Sequence, residues 1–228
     1  MGSDPAATGG GAALRRRHPS PNFGPRRDGL RPELVVVHFT EMRSAEAALD
    51  RLSDPAAEVS AHYLIGRDGT LWQMVEEEMR AWHAGAGAWL GRGDVNSRSI
   101  GIELDNDGQS PFAAPLMRTL ESLLAGLLPR WRIAPQGVIA HSDMAPGRKV
   151  DPGPRFDWRR LALQGLAIWP EAPGDPDAPL AASLDRIGYP DVAPELRLAA
   201  FRLRFRPGAT GPESAMDRAV ADAVARLS

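Results

Sequence analysis

The stretch LVVVHF, residues 34–39, decides the fold. It is a continuous apolar and β-branched run, which predicts a strand that is buried on both faces. His38 stands near the end of this strand, and residues at strand ends lie where loops open onto a cleft. The stretch therefore predicts a central strand and supplies a first candidate for a functional residue.

A helix and a hairpin are predicted directly after this strand. Ser44 is a typical N-cap for a short helix over residues 44–52. The segment AHYLIGRDGTLWQMV, residues 61–75, has the pattern of a β-hairpin, with the RDG triplet at 67–69 as its turn.

Two further strands and one long helix complete the first domain. SIGIEL (Ser99–Leu104) and GVIA (137–140) predict strands, and the second of them leads directly into His141. Leucines spaced on one helical face predict a helix over about 115–129. Strands that alternate with helices and a hairpin indicate an α/β domain over residues 21–169, with a mixed central sheet flanked by helices.

The two ends of the chain differ in composition from this domain. Residues 1–20 are rich in Gly, Ala and Arg and predict a flexible tail. PEAPGDPDAP, residues 170–179, is a linker by composition, because Pro and Gly break regular structure. Residues 180–228 predict a small all-α module of three helices, the last starting at Pro212-Glu213. The apolar stripe predicted for that last helix is Met216, Val220, Val224 and Leu227.

The bulk composition excludes several functions. The chain has 228 residues, of which 43% are hydrophobic and 25% charged, as in an ordinary globular protein. A net charge of -2 gives no sign of a polyanion-binding surface, so nucleic acid is excluded as a partner. No apolar run reaches the length of about 18 residues that a membrane span needs. The first twenty residues contain no signal-peptide core, which predicts a cytoplasmic location. A periplasmic location is the alternative if a native leader has been replaced.

The chain offers ligands for a metal ion but no thiol. Because cysteine is absent, any metal must be held by His, Asp or Glu, which is typical of open catalytic sites. A single histidine is more often structural than a ligand, but His38 and His141 both stand at the ends of strands. The segment HSDMAPGRKVDPG, residues 141–153, contains two prolines and predicts an irregular loop instead of a regular helix. If this loop folds back, His141 and Asp151 can meet at one point and bind zinc together with His38.

A carboxylate and a cation near such an ion would complete a hydrolytic site. Glu103 in SIGIEL is the candidate for moving a proton from an attacking water to the leaving nitrogen, because apolar neighbours would raise its pKa. The alternative is a glutamate that faces solvent on an edge strand. Lys149 or Arg148 is the candidate cation for the oxyanion of the tetrahedral intermediate. These residues predict a zinc hydrolase and do not name its substrate.

Six blocks of the sequence resemble one known family and follow the family's order. The blocks are SPNFGPR, LVVVHFT, VSAHYLIGRDGTLWQMVEE, RAWHAG, NSRSIGIELDN and HSDMAPGRKVDPGPRF. Over about residues 20–158 they look like the type-2 N-acetylmuramoyl-L-alanine amidases, the AmpD and AmiD class. The resemblance implies Glu103 as general acid/base and Lys149 as the oxyanion-stabilising cation. It also implies three zinc ligands, which are His38, His141 and Asp151.

The same resemblance implies a substrate cleft and a reaction. The cleft would contain His83 and Asn96, with Arg148 as a contact for a substrate carboxylate. His62 is interpreted as structural, and Asp143 as a hydrogen-bond acceptor that shapes the loop. The implied reaction is hydrolysis of the amide bond between N-acetylmuramic acid, or its 1,6-anhydro form, and L-alanine in peptidoglycan fragments (muropeptides), as in cell-wall recycling.

Several alternatives stay open from the sequence. A non-catalytic peptidoglycan-recognition protein shares this fold, although such members lack a complete metal set, and a zinc hydrolase can also act on another amide of the stem peptide. The C-terminal residues are similar to a small peptidoglycan-binding helical module, but Arg202 stands where that module usually has Gln. The module would therefore either bind glycan or pack against the first domain. Glu41 is a second departure, and it would narrow one side of the cleft.

Overall fold

The computed structural model describes residues 15–228. Within this range the chain forms a six-stranded sheet, a two-stranded ribbon and eight α-helices. The strands are β1 (Arg15–Arg17), β2 (Phe23–Pro25), β3 (Leu34–Phe39), β4 (Tyr63–Ile65), β5 (Leu71–Gln73), β6 (Met79–Ala81), β7 (Ser99–Leu104) and β8 (Val138–Ala140). The helices are α1 (Ala45–Ser53), α2 (Val95–Arg98), α3 (Ala114–Trp131), α4 (His141–Met144), α5 (Trp158–Ala162), α6 (Leu180–Ile187), α7 (Pro194–Phe205) and α8 (Ala215–Ala225). None of the described helices combines the length and apolar character that crossing a membrane requires.

The six-stranded sheet is mixed, as predicted. Its strand order is β1-β5-β4-β7-β3-β8. β4 and β5 pair antiparallel, and all other neighbours in this sheet are parallel. The antiparallel pair is the predicted hairpin, and its turn is closed by Asp68, whose carboxylate accepts a hydrogen bond from the Thr70 amide at 2.8 Å. Strand β3 has a partner on each side and is therefore a central strand.

The two faces of β3 belong to two different hydrophobic clusters. Side chains alternate along a strand, so Val35 and Val37 lie in one cluster with the leucines of α3. Leu34 and Val36 lie on the opposite face and pack in a second cluster with residues of α6, α7 and α8. The prediction of a strand buried on both faces is confirmed, and the C-terminal helices provide one of its covers.

A buried ionic contact also joins the C-terminal helices to the first domain. Asp143 in α4 is fully buried, and its Oδ2 accepts a hydrogen bond from Arg204 of α7 at 2.8 Å. The hydroxyl of Tyr189 donates to Oδ1 of the same carboxylate at 2.7 Å. The Arg204 guanidinium also lies over the Trp158 ring, 4.0 Å from its centroid. Of the two roles expected for the C-terminal module, packing against the first domain is seen in the structure.

The prediction of a flexible tail over residues 1–20 is wrong for Arg15–Arg17 and for Ser20. Residues 1–14 lie outside the described range, and Arg15–Arg17 form β1, which pairs in parallel with β5. Ser20 is buried, and its amide donates to the carbonyl of Met74 at 2.9 Å. A polar segment can add to a sheet edge because the backbone makes the pairing, which explains why composition alone missed this strand.

Helix α8 begins later than predicted and buries only half of the predicted apolar stripe, since Val220 and Val224 pack in the second cluster. It starts after Ser214, which forms a capping box with Asp217, and not at Pro212. Met216 and Leu227, two members of the predicted apolar stripe, are 48% and 40% exposed. Small side chains take the inward positions, which allows α8 to lie close against α6. The buried apolar residues of α8 are Ala219, Ala221, Val224 and Ala225.

Candidate metal centre

The three predicted ligand side chains meet at one point. Nδ1 of His38 lies 2.9 Å from Nδ1 of His141 and 2.9 Å from Oδ2 of Asp151. The distance between Nδ1 of His141 and Oδ2 of Asp151 is also 2.9 Å. Ligand atoms around tetrahedral zinc, with bonds of about 2.0–2.1 Å, lie about 3.3 Å apart. The observed triangle is slightly tighter than that, all three residues are buried, and the donor set fits a divalent metal ion.

Neighbouring strands deliver the two imidazoles to the same edge of the sheet. His38 belongs to β3, and His141 directly follows β8, which pairs with β3 in parallel. Asp151 comes from the loop after α4, and the amide of Ser142 donates to its carbonyl at 3.0 Å, so the loop folds back on its own start. The prediction of a wholly irregular segment over 141–153 is wrong for its first four residues, which form α4. A single helical turn fits there because both prolines come after it.

The orientation of His141 and the pKa values of His38 and Asp151 also suit a cation. The Nε2–H of His141 donates to the Ala84 carbonyl at 2.9 Å, so Nδ1 of the neutral ring presents a lone pair to the other ligands. Burial lowers the pKa of His38 to about 4, and the nearby His141 acts in the same direction. Burial raises the pKa of Asp151, but the close approach of both imidazoles outweighs burial and places the pKa of this carboxyl group below its usual range. A neutral imidazole and an ionised carboxylate are the forms that bind metal.

Glu103 lies beside this cluster without belonging to it. It stands opposite His38 in the β3–β7 register, so the two side chains leave the same face of the sheet. Its Oε2 atom is buried and has no hydrogen-bond partner among residues 15–228. Burial, together with the nearby Asp151, raises the pKa of Glu103 well above its ordinary value. The alternative of a solvent-facing glutamate on an edge strand is wrong, because β7 lies between β4 and β3.

A cleft of about 450 Å³ opens over these residues. This volume lies within the range of about 300–1,000 Å³ that is common for small-molecule sites. Lys149 and Arg148 both line the cleft. The Nη2 group of Arg148 is engaged with the backbone, since it donates to the carbonyl of Ala84 at 2.6 Å and to that of Ala86. Lys149 is the single lysine among the 27 basic residues of the chain.

The structure separates the two other predicted substrate residues. His83 lines the cleft, and its Nδ1 lies 3.0 Å from Nε2 of His38. Asn96 is buried and does not belong to the cleft wall. Its amide oxygen accepts hydrogen bonds from the backbone amides of His83 and Ala84 at 3.0 and 2.8 Å. Asn96 therefore contacts the segment behind the cleft.

His62 and Asp143 make contacts of the kind predicted for them. His62 is fully buried, and its Nδ1 accepts from the Gly101 amide at 2.9 Å while its Nε2 lies 3.1 Å from the Met79 carbonyl. The Asp143 carboxylate accepts from the Ala140 amide at 2.9 Å, directly before His141. Neither belongs to the triangle of ligand atoms.

Some residues of the cleft wall were not singled out from the sequence. Arg51 at the end of α1, Trp82 next to His83, and Val150 all line it. Trp82 falls inside the block RAWHAG, so the block itself carried a signal. No signal distinguishes Arg51, whose place in the wall depends on how α1 packs against β4. Glu41 also lines the cleft, where it was expected.

The fold and the site together define a class of protein. A mixed α/β sheet holds two imidazoles and one carboxylate at the floor of an open cleft, with a further carboxyl group of raised pKa beside them. Three protein ligands and one open position are typical of metal-dependent hydrolases.

Comparison with known sequences narrows this class. The family model described as N-acetylmuramoyl-L-alanine amidase matches residues 28–154. The N-acetylmuramoyl-L-alanine amidase AmiD of Escherichia coli K12 is 36% identical over 230 aligned residues, which cover 85% of this chain and 82% of AmiD. The 1,6-anhydro-N-acetylmuramyl-L-alanine amidase AmpD of Citrobacter freundii is 36% identical over 169 residues, covering 67% of this chain and 90% of AmpD.

Solved structures agree with the sequence relatives. AmiD from E. coli, in complex with the substrate anhydro-N-acetylmuramic acid-L-Ala-D-gamma-Glu-L-Lys, matches with a TM-score of 0.76 and 34% identity. The match covers 88% of this chain and 91% of the AmiD chain. AmpDh3 from Pseudomonas aeruginosa matches with a TM-score of 0.77 and 28% identity, covering 87% of this chain and 93% of its own. The chain belongs to the N-acetylmuramoyl-L-alanine amidase family, whose members are hydrolases.

Proposed function

We propose that this chain hydrolyses the amide bond between N-acetylmuramic acid, or its 1,6-anhydro form, and L-alanine in peptidoglycan fragments. The observation that carries the proposal is the triangle of His38, His141 and Asp151 beside Glu103 in an open cleft. The similarity to AmpD, a 1,6-anhydro-N-acetylmuramyl-L-alanine amidase, supports the choice of the bond that is cleaved. The AmiD complex with an anhydro-muropeptide supports the substrate class. Cell-wall recycling, in the cytoplasm, is the proposed setting.

The three ligands are proposed to hold zinc, which supplies a Lewis acid that polarises the scissile carbonyl and favours the ionisation of water. Glu103 takes a proton from the attacking water while the water oxygen bonds to the lactyl carbonyl carbon. Glu103 then delivers this proton to the amide nitrogen as the carbon–nitrogen bond breaks. The products are the carboxylic acid of the muramic unit and a peptide with a free L-alanine amine.

Lys149 is proposed to stabilise the oxyanion that forms during this reaction. All the other basic positions in the chain carry arginine, so the lysine at the cleft stands out. An ammonium group is a compact point charge, whereas a guanidinium is a planar fork that needs more room. A compact cation is better suited to a single developing oxygen charge in a narrow site.

The test of the proposed reaction is the mass of the products. Zinc-loaded protein incubated with anhydro-muropeptides is expected to release free peptide that starts at L-alanine. A product in which the sugar keeps its alanine would point to a stem-peptide hydrolase, and a tight complex without any cleavage would point to a recognition protein. Faster turnover of anhydro-muropeptides than of intact sacculi supports recycling, and the reverse order contradicts it.

Removal of the metal is expected to abolish hydrolysis. Dialysis against a chelator should eliminate muropeptide cleavage, and stoichiometric zinc should restore it. The reason is that the ion held by His38, His141 and Asp151 is the group proposed to polarise the scissile carbonyl. Asp151→Ala should lose zinc, measured by inductively coupled plasma mass spectrometry after gel filtration. His18→Ala is the control, since His18 lies outside the triangle of ligand atoms. Full activity in rigorously metal-free protein would contradict the assignment.

Substitution of Lys149 is expected to act on the rate and not on zinc content. Lys149→Met should lower kcat by about 10²–10³-fold, the size of effect seen when an oxyanion-stabilising group is removed. Lys149→Arg should remain well below the wild type because of its different shape. Arg155→Met is the matched control, as Arg155 is an exposed cation of the same region that does not line the cleft. An equal loss in both variants would show that only overall charge matters.

A glycan-binding role for residues 180–228 is a separate proposal. An apolar groove of about 500 Å³ lies in this module and is lined by Leu184 and Leu198 among others. Arg202, the residue that departs from the expected Gln, also lines this groove, but its guanidinium is paired with both carboxylate oxygens of Asp217. Co-sedimentation of the chain with sacculi, compared between wild type and Leu198→Glu, tests whether the groove contributes.

A further inference from the structure

A series of hydrogen bonds runs behind His38 and away from the cleft. Ser99 Oγ donates to the Val95 carbonyl at 2.6 Å and lies 3.2 Å from Nε2 of His83. Nδ1 of His83 lies 3.0 Å from Nε2 of His38. The remaining ring nitrogen of His38, Nδ1, is the atom that faces the other two metal ligands.

The far end of this series fixes the direction of each hydrogen bond. A carbonyl oxygen only accepts, so the single hydroxyl proton of Ser99 is used on Val95. Ser99 Oγ must then accept from the Nε2–H of His83, which leaves Nδ1 of the neutral His83 ring as an acceptor. His38 consequently donates through Nε2–H, and the lone pair on its Nδ1 is free for a cation.

The second imidazole ligand is oriented by the residue next to His83. The Nε2–H of His141 donates to the Ala84 carbonyl at 2.9 Å, and its Nδ1 lone pair faces the ligand triangle. Both imidazoles are therefore held by consecutive residues, His38 by the ring of His83 and His141 by the carbonyl of Ala84.

This two-residue segment is itself held from two sides. The amide oxygen of Asn96 accepts from the backbone amides of His83 and Ala84 at 3.0 and 2.8 Å. Strand β7 leaves space for the His83 ring at Gly101, where an added Cβ would lie 2.4 Å from Cγ of that ring. Real Cβ atoms do not approach other atoms so closely, so the ring position depends on glycine there.

We propose that His83 and Ala84 are positioning residues that fix both metal-binding imidazoles with their Nδ1 lone pairs toward the ion, and that Asn96 and Ser99 lock them in place. This inference rests on the proposed metal centre. It gives His83 and Asn96 a role other than substrate contact. Partners that hydrogen-bond a metal-ligating histidine typically change metal affinity by about 10–100-fold, so the effect is measurable.

The first experiment locates the protons in the zinc-loaded full-length chain. Long-range ¹H–¹⁵N correlation spectra of ¹⁵N-histidine-labelled protein distinguish the two neutral tautomers of each ring. Both His38 and His83 are expected to carry their proton on Nε2. A proton on Nδ1 of His83 would reverse the series and overturn the inference, and this result requires no variant to fold.

The second experiment compares two neighbouring buried serines. Ser99→Ala removes the acceptor for His83 and should weaken zinc binding by about 10–100-fold in competition with a chromophoric chelator. Its KM for anhydro-muropeptide at saturating zinc should stay near the wild-type value. Ser97→Ala is the control, because Ser97 is equally buried but its hydroxyl accepts from the Arg27 amide and, within the described range, has no hydrogen bond with His83.

Two outcomes of this comparison would contradict the positioning role. One is equal zinc affinity in Ser99→Ala and Ser97→Ala. The other is a raised KM with unchanged zinc affinity in Ser99→Ala, which would return His83 to substrate binding. Tautomers and zinc affinity are measured without substrate, so protein that shows both but cleaves no muropeptide would reject the proposed function and leave this inference intact.

Discussion

Glu103→Gln is expected to lower kcat on anhydro-muropeptides by about 10²–10⁴-fold, the usual contribution of a positioned general acid/base. The amide keeps the size of the side chain but cannot carry a proton from water to the leaving nitrogen. Zinc affinity should remain near the wild-type value, because Glu103 is not one of the three ligands. Glu171→Gln, at an exposed position outside the cleft, is the control and should retain full activity.

The same substitution is expected to stabilise the zinc-free protein, relative to the wild type, more at high pH than at low pH. The pKa of Glu103 is raised above its ordinary value of 4.5 in the folded state, so folding holds its proton more tightly than the unfolded chain does. That stabilising contribution is complete below pH 4.5 and is lost as the pH rises through the higher folded pKa. Calorimetry should therefore show a larger Tm advantage of Glu103→Gln at pH 8 than at pH 5. The same difference in Tm at both pH values would show that burial does not raise the pKa of Glu103.

Arg204→Met is expected to destabilise the chain by about 3–5 kcal/mol, because it leaves the buried carboxylate of Asp143 without its cationic partner. Both side chains of this pair are almost completely buried, at 3% and 0% exposure. Urea unfolding of the zinc-free protein measures the loss as a change in the free energy of unfolding. The double variant Asp143→Asn/Arg204→Met should recover part of the stability, since the uncompensated charge is then absent.

The matched control for this pair lies in the same C-terminal module. Arg218 forms an ion pair with Glu213 in which both side chains are partly exposed, and such surface pairs contribute about 0–1 kcal/mol. Arg218→Met should therefore have a small effect. If Arg204→Met and Arg218→Met change the free energy of unfolding equally, Arg204 does not compensate a buried charge.

Local sequence patterns were sufficient for the elements that carry the site. The apolar run around Val36 predicted a central strand, and the hairpin at 61–75 and the helix at 115–129 followed from turn residues and leucine spacing. The ligands His38, His141 and Asp151 were selected because cysteine is absent and because two of them adjoin strands. These features depend on residues that are close together in the chain.

Features that depend on distant contacts were missed or misplaced. Strand β1 pairs with β5 at the sheet edge, and nothing in its arginine-rich sequence indicates that partner. The family resemblance implied that Asn96 lies in the substrate cleft, but its amide oxygen accepts a hydrogen bond from the backbone amide of His83. The stripe predicted for α8 placed Met216 inside, although the close approach of α6 favours alanines there. Periodicity gives the direction of a side chain around its own helix but not the neighbour that it meets.

The cover that α6, α7 and α8 provide for β3 affects how the chain can be divided. Taking away everything beyond residue 179 would uncover Leu34, Val36 and Ile139, which are buried against those helices. The truncated protein would carry a solvent-exposed apolar patch on its sheet, and such a patch promotes aggregation. The proline-rich stretch at 170–179 therefore separates two parts of the sequence without separating two autonomous folding units.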